Sequence, residues 1–233
     1  MRIHGVGKVK ADEWYRKGYR TLDDLKNNPE ILSSQQRLGL HYFEDFEQRI
    51  PRQEVEQIAL RVTKACLELD EFCEATVTGS YRRGKADCGD IDILMYSNKP
   101  NHELSDLFLH DLVEKLTKSK LLIGDLGKAS NETHSYHGIA RLEQHLPARR
   151  IDFLVCKYRE RGAALLHFTG NDSYNRNLRN LAGKKGYSLS QHGLVKRDQD
   201  DQGQNEWIAG HTEKDIVDIL GVRYLSPEER NFA

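Results

Sequence analysis

The sequence of 233 residues predicts an α+β protein with a mixed β-sheet at its centre. Three observations lead to this prediction. Apolar runs at 91–95 and 151–155 have the β-branched and aromatic content of buried strands. Other segments repeat their apolar residues at helical spacing. Residues 1–50 contain only helical patterns, whereas the last third of the chain combines basic helices with short strands.

Composition excludes several classes of protein. Charged residues make up 30% of the chain and apolar residues 38%, which is typical of a soluble globular protein. The sequence has no apolar run of membrane-spanning length, so no membrane partner is expected, and its amino terminus lacks the apolar core of a signal peptide. Its four cysteines show no paired spacing, which favours reduced, intracellular thiols.

The net charge of −1 hides a segregation of charge along the chain. Residues 157–197 contain nine Lys or Arg and two acids, whereas residues 198–233 contain nine acids and three bases. The basic region is suited to a phosphate backbone, although a solvated helix face has the same composition.

The amino-terminal glycines Gly5 and Gly7, which flank Val6, precede a helical pattern and have the form of a helix-hairpin-helix turn. Such glycines let backbone amides approach a DNA phosphate, and carbonyls such as those of Ile3 and Val6 can hold a monovalent cation, Na⁺ or K⁺. A Rossmann loop or a P-loop does not fit, because no strand precedes the glycines and no Gly-Lys-Ser/Thr follows. A plain loop at the start of a helix remains the alternative.

The remaining elements follow in order. Pro51 is expected in the first turn of a long helix, since proline is favoured there. A polar motif then separates a strand at 75–78 from the apolar run at 91–95. The later predictions are a helix at 102–118, strands at 120–127, 135–142 and 149–155, helices at 158–168 and 172–185, strands within 187–196, an acidic loop at 198–203 and a last helix capped by Thr212.

Asp90 and Asp92 stand at the start of the apolar run. Side chains at i and i+2 of a strand point to the same face, so the two carboxylates lie side by side. Adjacent anions repel each other, and a hard cation such as Mg²⁺ relieves that repulsion. Upstream, Gly79, Ser80 and Arg83 provide a flexible turn, a hydroxyl and a guanidinium suited to phosphate. A metal site beside a phosphate site indicates phosphoryl or nucleotidyl transfer, although a solvated strand end also produces acidic pairs.

Asp152 is the candidate for a third carboxylate. It lies near the start of the strand at 149–155, and if that strand adjoins the one at 91–95, three carboxylates meet at one metal pair. The alternative is that Asp152 forms a salt bridge with Arg149 or Arg150 at the edge of the sheet.

A polar helix face forms the last candidate site. Its members, Asp172, Asn175, Arg176 and Arg179, are spaced at i, i+3, i+4 and i+7. A carboxylate, an amide and two guanidiniums on one face can contact a base and a template strand. A salt-bridged surface helix is the alternative.

These motifs resemble those of the family X DNA polymerases, closest to the lambda and beta types. The resemblance rests on Gly-Ser-Tyr-Arg-Arg-Gly at 79–84, Gly-Asp-Ile-Asp at 89–92 and Phe-Thr-Gly at 168–170, and it extends over essentially the whole chain. It implies a nucleotidyltransferase palm with a mixed sheet at 51–156. It also implies helical fingers with a helix-hairpin-helix at 1–50 and an α/β thumb at 157–233.

The resemblance also implies roles for single residues. Asp90, Asp92 and Asp152 would hold two Mg²⁺ ions, for which Mn²⁺ can substitute, and Arg150 would orient the primer end. The triphosphate would contact Ser80, Arg83 and Gly89, and the incoming base would contact Asp172 and Asn175. Arg176 and Arg179 would line the templating nucleotide, and Gly170 would precede a cis peptide. Phe168 would crowd a ribose 2′-hydroxyl, whereas His167 replaces the usual tyrosine and leaves sugar selectivity open.

The function expected from the resemblance is template-directed filling of short gaps in DNA repair. Gapped or primer-template DNA and a dNTP would be the substrates of a nuclear, monomeric enzyme. The amino-terminal lyase domain of the family does not precede the fingers in this sequence, so we expect a catalytic core without lyase activity, whose repair partners bind through other domains. The alternatives are a template-independent terminal transferase, another nucleotidyltransferase acting on RNA or a small molecule, and a non-catalytic DNA-binding module. The short segment 142–148 disfavours a terminal transferase, in which a long loop is expected there.

Overall fold

The computed structural model describes residues 3–130, 134–197 and 206–232. The helices are α1 (Lys8–Arg16), α2 (Leu22–Lys26), α3 (Ser34–His41), α4 (Phe43–Glu47), α5 (Arg52–Leu69), α6 (Gly79–Arg82), α7 (Phe108–Lys118), α8 (Arg161–Thr169), α9 (Asp172–Lys184) and α10 (Glu213–Ile219). The strands are β1 (Ile50–Pro51), β2 (Cys73–Val77), β3 (Asp87–Cys88), β4 (Ile91–Ser97), β5 (Leu122–Ser130), β6 (Ser135–Ala140), β7 (Arg149–Val155), β8 (Tyr187–Ser190), β9 (Gly193–Lys196) and β10 (Glu206–Ala209). The predicted acidic loop at 198–203 lies outside the described residues.

A five-stranded mixed sheet with the order β2-β4-β7-β6-β5 forms the centre of the molecule. Strands β4 and β7 are parallel, and the other neighbouring pairs are antiparallel. Helices α5 and α7 pack against this sheet through apolar stripes, which for α5 include the fully buried Val55, Ile58 and Val62. The predicted α+β class with a mixed central sheet is confirmed.

Smaller apolar clusters stabilise the two ends of the chain. In the first 47 residues, Trp14, Leu25 and Leu40 form a core between short helices, and capping boxes at Thr21 and Ser33 begin α2 and α3. The carboxyl-terminal cluster joins α8, α9 and α10 to the three-stranded sheet β10-β9-β8. No helix among the described residues is both long and apolar enough to cross a membrane.

Some local predictions were wrong. The helix predicted at 102–118 begins only at Phe108, because the Ser105 hydroxyl accepts the Leu107 amide and turns the chain just before it. Pro51 precedes α5 as its N-cap and pairs with Asp87 in a short ladder. The motif at 79–82 is one helical turn rather than a flexible turn.

Candidate active site

The register of the central sheet brings the three predicted carboxylates together. Asp92 lies directly opposite Asp152 in the parallel pair of β4 and β7. Asp90 precedes Asp92 by two residues, and its pKa responds to the charge of Asp152. The three side chains therefore form one acidic cluster where these two neighbouring strands begin.

Burial and mutual repulsion disfavour the charged forms in this cluster. Desolvation, together with the charges of Asp90 and Asp152, raises the pKa of Asp92 to about 7. The pKa of Asp90 is also raised, chiefly by burial, and Arg150 partly opposes that rise. Among the described residues, none donates a hydrogen bond to the Asp92 carboxylate. A divalent cation would supply the positive charge that this donor set lacks, so the residues fit a metal site.

Within the described ranges, Asp90 and Asp152, unlike Asp92, each contact a basic side chain. Nη2 of Arg150 donates to Oδ2 of Asp90 at 3.1 Å, and Nδ1 of His137 lies 2.9 Å from Oδ1 of Asp152. Arg149 instead forms a buried pair with Glu54, at 2.8 Å. The alternative in which Asp152 pairs with Arg149 or Arg150 is therefore wrong. His137 was missed in the sequence, where only its position opposite Asp152 in the next strand could have indicated it.

Helix α6 holds the phosphate-binding candidates against the acidic cluster. Gly79 begins the helix with φ at +56°, and a Cβ at this position would lie 2.2 Å from Oδ2 of Asp92. Only glycine permits this approach, which places the half-buried Ser80 and Arg83 beside the carboxylates. Gly89 is half-buried in the segment just before Asp90.

Arg83 is the candidate guanidinium for binding phosphate. Its side chain connects the end of α8 to the carboxyl-terminal segment. It donates to the Thr169 carbonyl and, through Nε, to Oδ1 of Asn231 at 3.2 Å. Burial lowers its pKa, which the charges of Asp92 and Asp172 oppose. Arg83 therefore lies between the acidic cluster and the start of α9.

The turn between α8 and α9 has the predicted backbone. The Gly170–Asn171 peptide bond is cis, Gly170 has φ at +66°, and a Cβ on Gly170 would lie 3.4 Å from Nη1 of Arg83. Asn171 caps α9 by accepting the Tyr174 amide at 2.9 Å. The expected cis peptide is confirmed, and it lies beside Arg83.

The predicted polar face of α9 contacts the end of α8. Asn175 donates through Nδ2 to the His167 carbonyl at 2.6 Å, and Nη2 of Arg179 lies 2.7 Å from Nδ1 of His167. Burial, followed by the charge of Arg179, lowers the pKa of His167. Asp172 and Arg176 are exposed, and in the described part of the chain neither Arg176 nor Arg179 has a carboxylate partner. The face is therefore not a salt-bridged surface. Phe168 is half-buried against Leu94 and Tyr96 of the sheet.

The amino-terminal loop has the compact form expected of a hairpin turn. Gly5 has φ at +75°, and its carbonyl accepts Nε2 of Gln36 at 2.9 Å. The Ile3 carbonyl accepts the Val6 amide at 3.1 Å, and the exposed Gly7 is the N-cap of α1. His4 in this loop lies near enough to Asp152 for the two charges to interact.

A buried ionic cluster, which the sequence did not reveal, joins α6 to α10. Glu213 at the start of α10 accepts two hydrogen bonds from Arg82, at 2.8 and 3.0 Å, and one from Arg230 at 2.9 Å. Tyr224 donates to the same carboxylate at 3.1 Å. Because Arg82 precedes Arg83, this cluster fixes the helix that carries the phosphate-binding candidates.

Comparisons with known proteins agree with this architecture. Residues 1–47 match the fingers domain of DNA polymerase lambda, residues 49–158 match the DNA polymerase beta palm, and residues 164–231 match the DNA polymerase beta thumb. These matches and the mixed sheet define a nucleotidyltransferase fold of the polymerase beta type. The chain belongs to the family X DNA polymerases, which are metal-dependent.

Three curated relatives show the extent of the similarity. DNA polymerase lambda of Rattus norvegicus is 34% identical over 99% of this chain, and DNA polymerase lambda of Arabidopsis thaliana is 37% identical over 98%. The DNA-directed DNA/RNA polymerase mu of Homo sapiens is 31% identical over 99% of the chain. The chain spans 41%, 45% and 51% of the length of these relatives, respectively.

Proposed function

We propose that this chain is a template-directed DNA polymerase that extends a primer 3′-hydroxyl with a dNTP, releases pyrophosphate and fills short gaps in DNA repair. The observation that carries the proposal is the parallel register that places Asp152 opposite Asp92, two residues from Asp90. It gathers three carboxylates beside a glycine-led helical turn that carries Ser80 and Arg83.

The proposed metal site consists of Asp90, Asp92 and Asp152. Two Mg²⁺ ions, or Mn²⁺ in their place, would supply activation of the attacking hydroxyl and charge neutralisation on the triphosphate. Asp90 and Asp92 would bind both ions, and Asp152 would complete the primer-side position. Arg150, whose Nη2 donates to Oδ2 of Asp90, is proposed to orient the primer end.

The nucleotide would lie between α6 and α9. Ser80, Arg83 and the backbone at Gly89 are proposed to bind the triphosphate, and Arg83 neutralises charge that builds on the leaving pyrophosphate. Asp172 and Asn175 would face the incoming base. Gly170 would permit the close approach of α9, and His167 and Phe168 would line the sugar.

DNA would contact both ends of the chain. Arg176 and Arg179 on α9 are proposed to contact the template strand. The loop at 5–7 would bind a backbone phosphate, with a monovalent cation, Na⁺ or K⁺, at the carbonyls of Ile3 and Val6. We propose the division into fingers at 1–50, palm at 51–156 and thumb at 157–233, and a monomer that acts in the nucleus with repair partners.

Primer extension tests the proposal. A duplex with a one-nucleotide gap is incubated with Mg²⁺ and each dNTP singly, and the wild type is compared with Asp152→Ala. We expect only the complementary dNTP to be added, and Asp152→Ala to abolish extension. Glu71→Ala, which removes an exposed carboxylate between α5 and β2, is the control and should act as the wild type does.

Other outcomes separate the alternatives. Addition of every dNTP regardless of template would identify a terminal transferase. The connection between β6 and β7, at 141–148, is short, which supports the template-directed reading. DNA binding without any Mg²⁺-dependent extension would identify a binding module and refute the proposed activity.

A further inference from the structure

We propose that His137 is a positioning residue for the metal site, and that its imidazole fixes the orientation of the Asp152 carboxylate. The inference rests on the proposed function, because it assigns Asp152 to the primer-side cation. It adds a residue that lies outside the acidic motifs.

The contact between these two side chains follows from the sheet. His137 in β6 and Asp152 in β7 are directly opposite in antiparallel register, so both side chains leave the same face. Nδ1 of His137 lies 2.9 Å from Oδ1 of Asp152. Within the described residues, no other group hydrogen-bonds to this carboxylate. His137 therefore holds Oδ1 of Asp152, and Oδ2 of Asp152 would be available to a cation shared with Asp92.

The imidazole is itself held from the opposite side. Gly127 in β5 pairs with His137, and a Cβ on Gly127 would lie 3.3 Å from Cδ2 of the ring. The ring thus fits between the bare backbone of one strand and the carboxylate of the other. The bare Gly127 backbone leaves room for the ring in the orientation that brings Nδ1 to Asp152.

A purely structural role does not account for this histidine. The His137 side chain is 46% exposed, so it adds little to the apolar core. Carboxylates and imidazoles that bind metals depend on neighbouring hydrogen bonds for their orientation, and losing such a neighbour typically weakens metal binding by about 10–100-fold. His137 is in the position of such a neighbour.

Metal binding is the direct test. The concentration of free Mn²⁺ is measured by electron paramagnetic resonance, with the free protein and with its complex with gapped DNA and a non-hydrolysable dNTP analogue. His137→Leu removes the hydrogen bond, whereas His137→Asn retains a donor near the position of Nδ1. We expect His137→Leu to weaken Mn²⁺ binding by about tenfold or more, and His137→Asn to restore most of it. His145→Leu, another exposed histidine, is the control and should bind as the wild type does.

Kinetics separate positioning from other roles. In single-turnover extension, His137→Leu should need more Mg²⁺ for half-maximal rate and should approach the wild-type rate at saturating Mg²⁺. The proposal is overturned if Mn²⁺ binding is unchanged in His137→Leu, if His137→Asn binds no better than His137→Leu, or if the loss of rate persists at saturating Mg²⁺. Because Mn²⁺ binding needs no turnover, a wild type that does not extend primers would refute the proposed function while leaving this measurement decisive.

Discussion

Substitution of Glu213 by glutamine should destabilise the protein strongly, because one carboxylate neutralises two guanidiniums away from water. The Glu213 side chain is 7% exposed and that of Arg230 is fully buried. Glu213 accepts hydrogen bonds from Arg82, Arg230 and Tyr224. Glutamine keeps one acceptor oxygen, turns an NH₂ group toward a donor and removes the negative charge.

The magnitude follows from the charge that is left behind. Removing one partner of a buried ion pair typically costs about 3–5 kcal/mol, since the other charge remains desolvated. Arg82 is partly exposed and can recover some hydration, so the lower half of that range applies. For a chain of this size, about 2–4 °C is lost per kcal/mol, so the melting temperature should fall by roughly 6–16 °C.

Thermal unfolding followed by circular dichroism at pH 7.5 measures this effect. Glu68→Gln is the matched control, because Glu68 forms an exposed pair with Lys115 at 2.9 Å. The control should melt close to the wild type, since exposed ion pairs contribute little. A Glu213→Gln variant that melts within about 2 °C of the wild type would refute the reasoning.

The pH dependence provides a second check. Burial opposes ionisation of Glu213, but Arg82 and Arg230 outweigh it and lower its pKa below the usual 4.5. When the pKa of a carboxyl group is lower in the folded state, the group stabilises the protein at pH values above its unfolded-state pKa. This stabilisation is lost as the pH falls through the folded-state pKa. The difference in unfolding free energy between wild type and Glu213→Gln should therefore be constant above about pH 5 and shrink below pH 4.5.

Two further predictions concern the acidic cluster. Gly79→Ala should lower extension activity at least about tenfold, because its Cβ would lie 2.2 Å from Oδ2 of Asp92. Asp92→Asn should abolish extension yet stabilise the protein in EDTA at pH 8. The pKa of Asp92 is raised to about 7, so folding stability is lost as pH rises from about 4 to 7 in the wild type. The gain in unfolding free energy should be about 2–4 kcal/mol, measured by urea unfolding, and an equal or lower stability of the variant would contradict it.

Local patterns in the sequence were sufficient to identify the strands of the central sheet and the motifs. The run 149–155 is a strand with the predicted limits. Buried and half-buried side chains alternate along its first residues, and the composition of this segment already favoured a strand. Asp90 and Asp92 could be paired from their i and i+2 spacing. Asp152 joined them only on the condition that its strand adjoined theirs, which the family resemblance favoured and the register of the sheet bears out. Helix limits were less predictable, as at Phe108, where the Ser105 hydroxyl ends the preceding turn.

The sequence alone determined where ionisable residues occur and which neighbouring residues of one strand share a face, since both depend only on residue type and local spacing. Only the tertiary structure decided which groups meet. His137 reaches Asp152, 15 residues further along the chain, through the antiparallel pairing of β6 with β7, and Glu213 meets Arg82 across 131 residues. Such contacts depend on strand order and on packing between distant segments, which no local pattern encodes. For the same reason, the sequence could not show that Arg150 forms an ion pair with Asp90, whereas Arg149 forms one with Glu54.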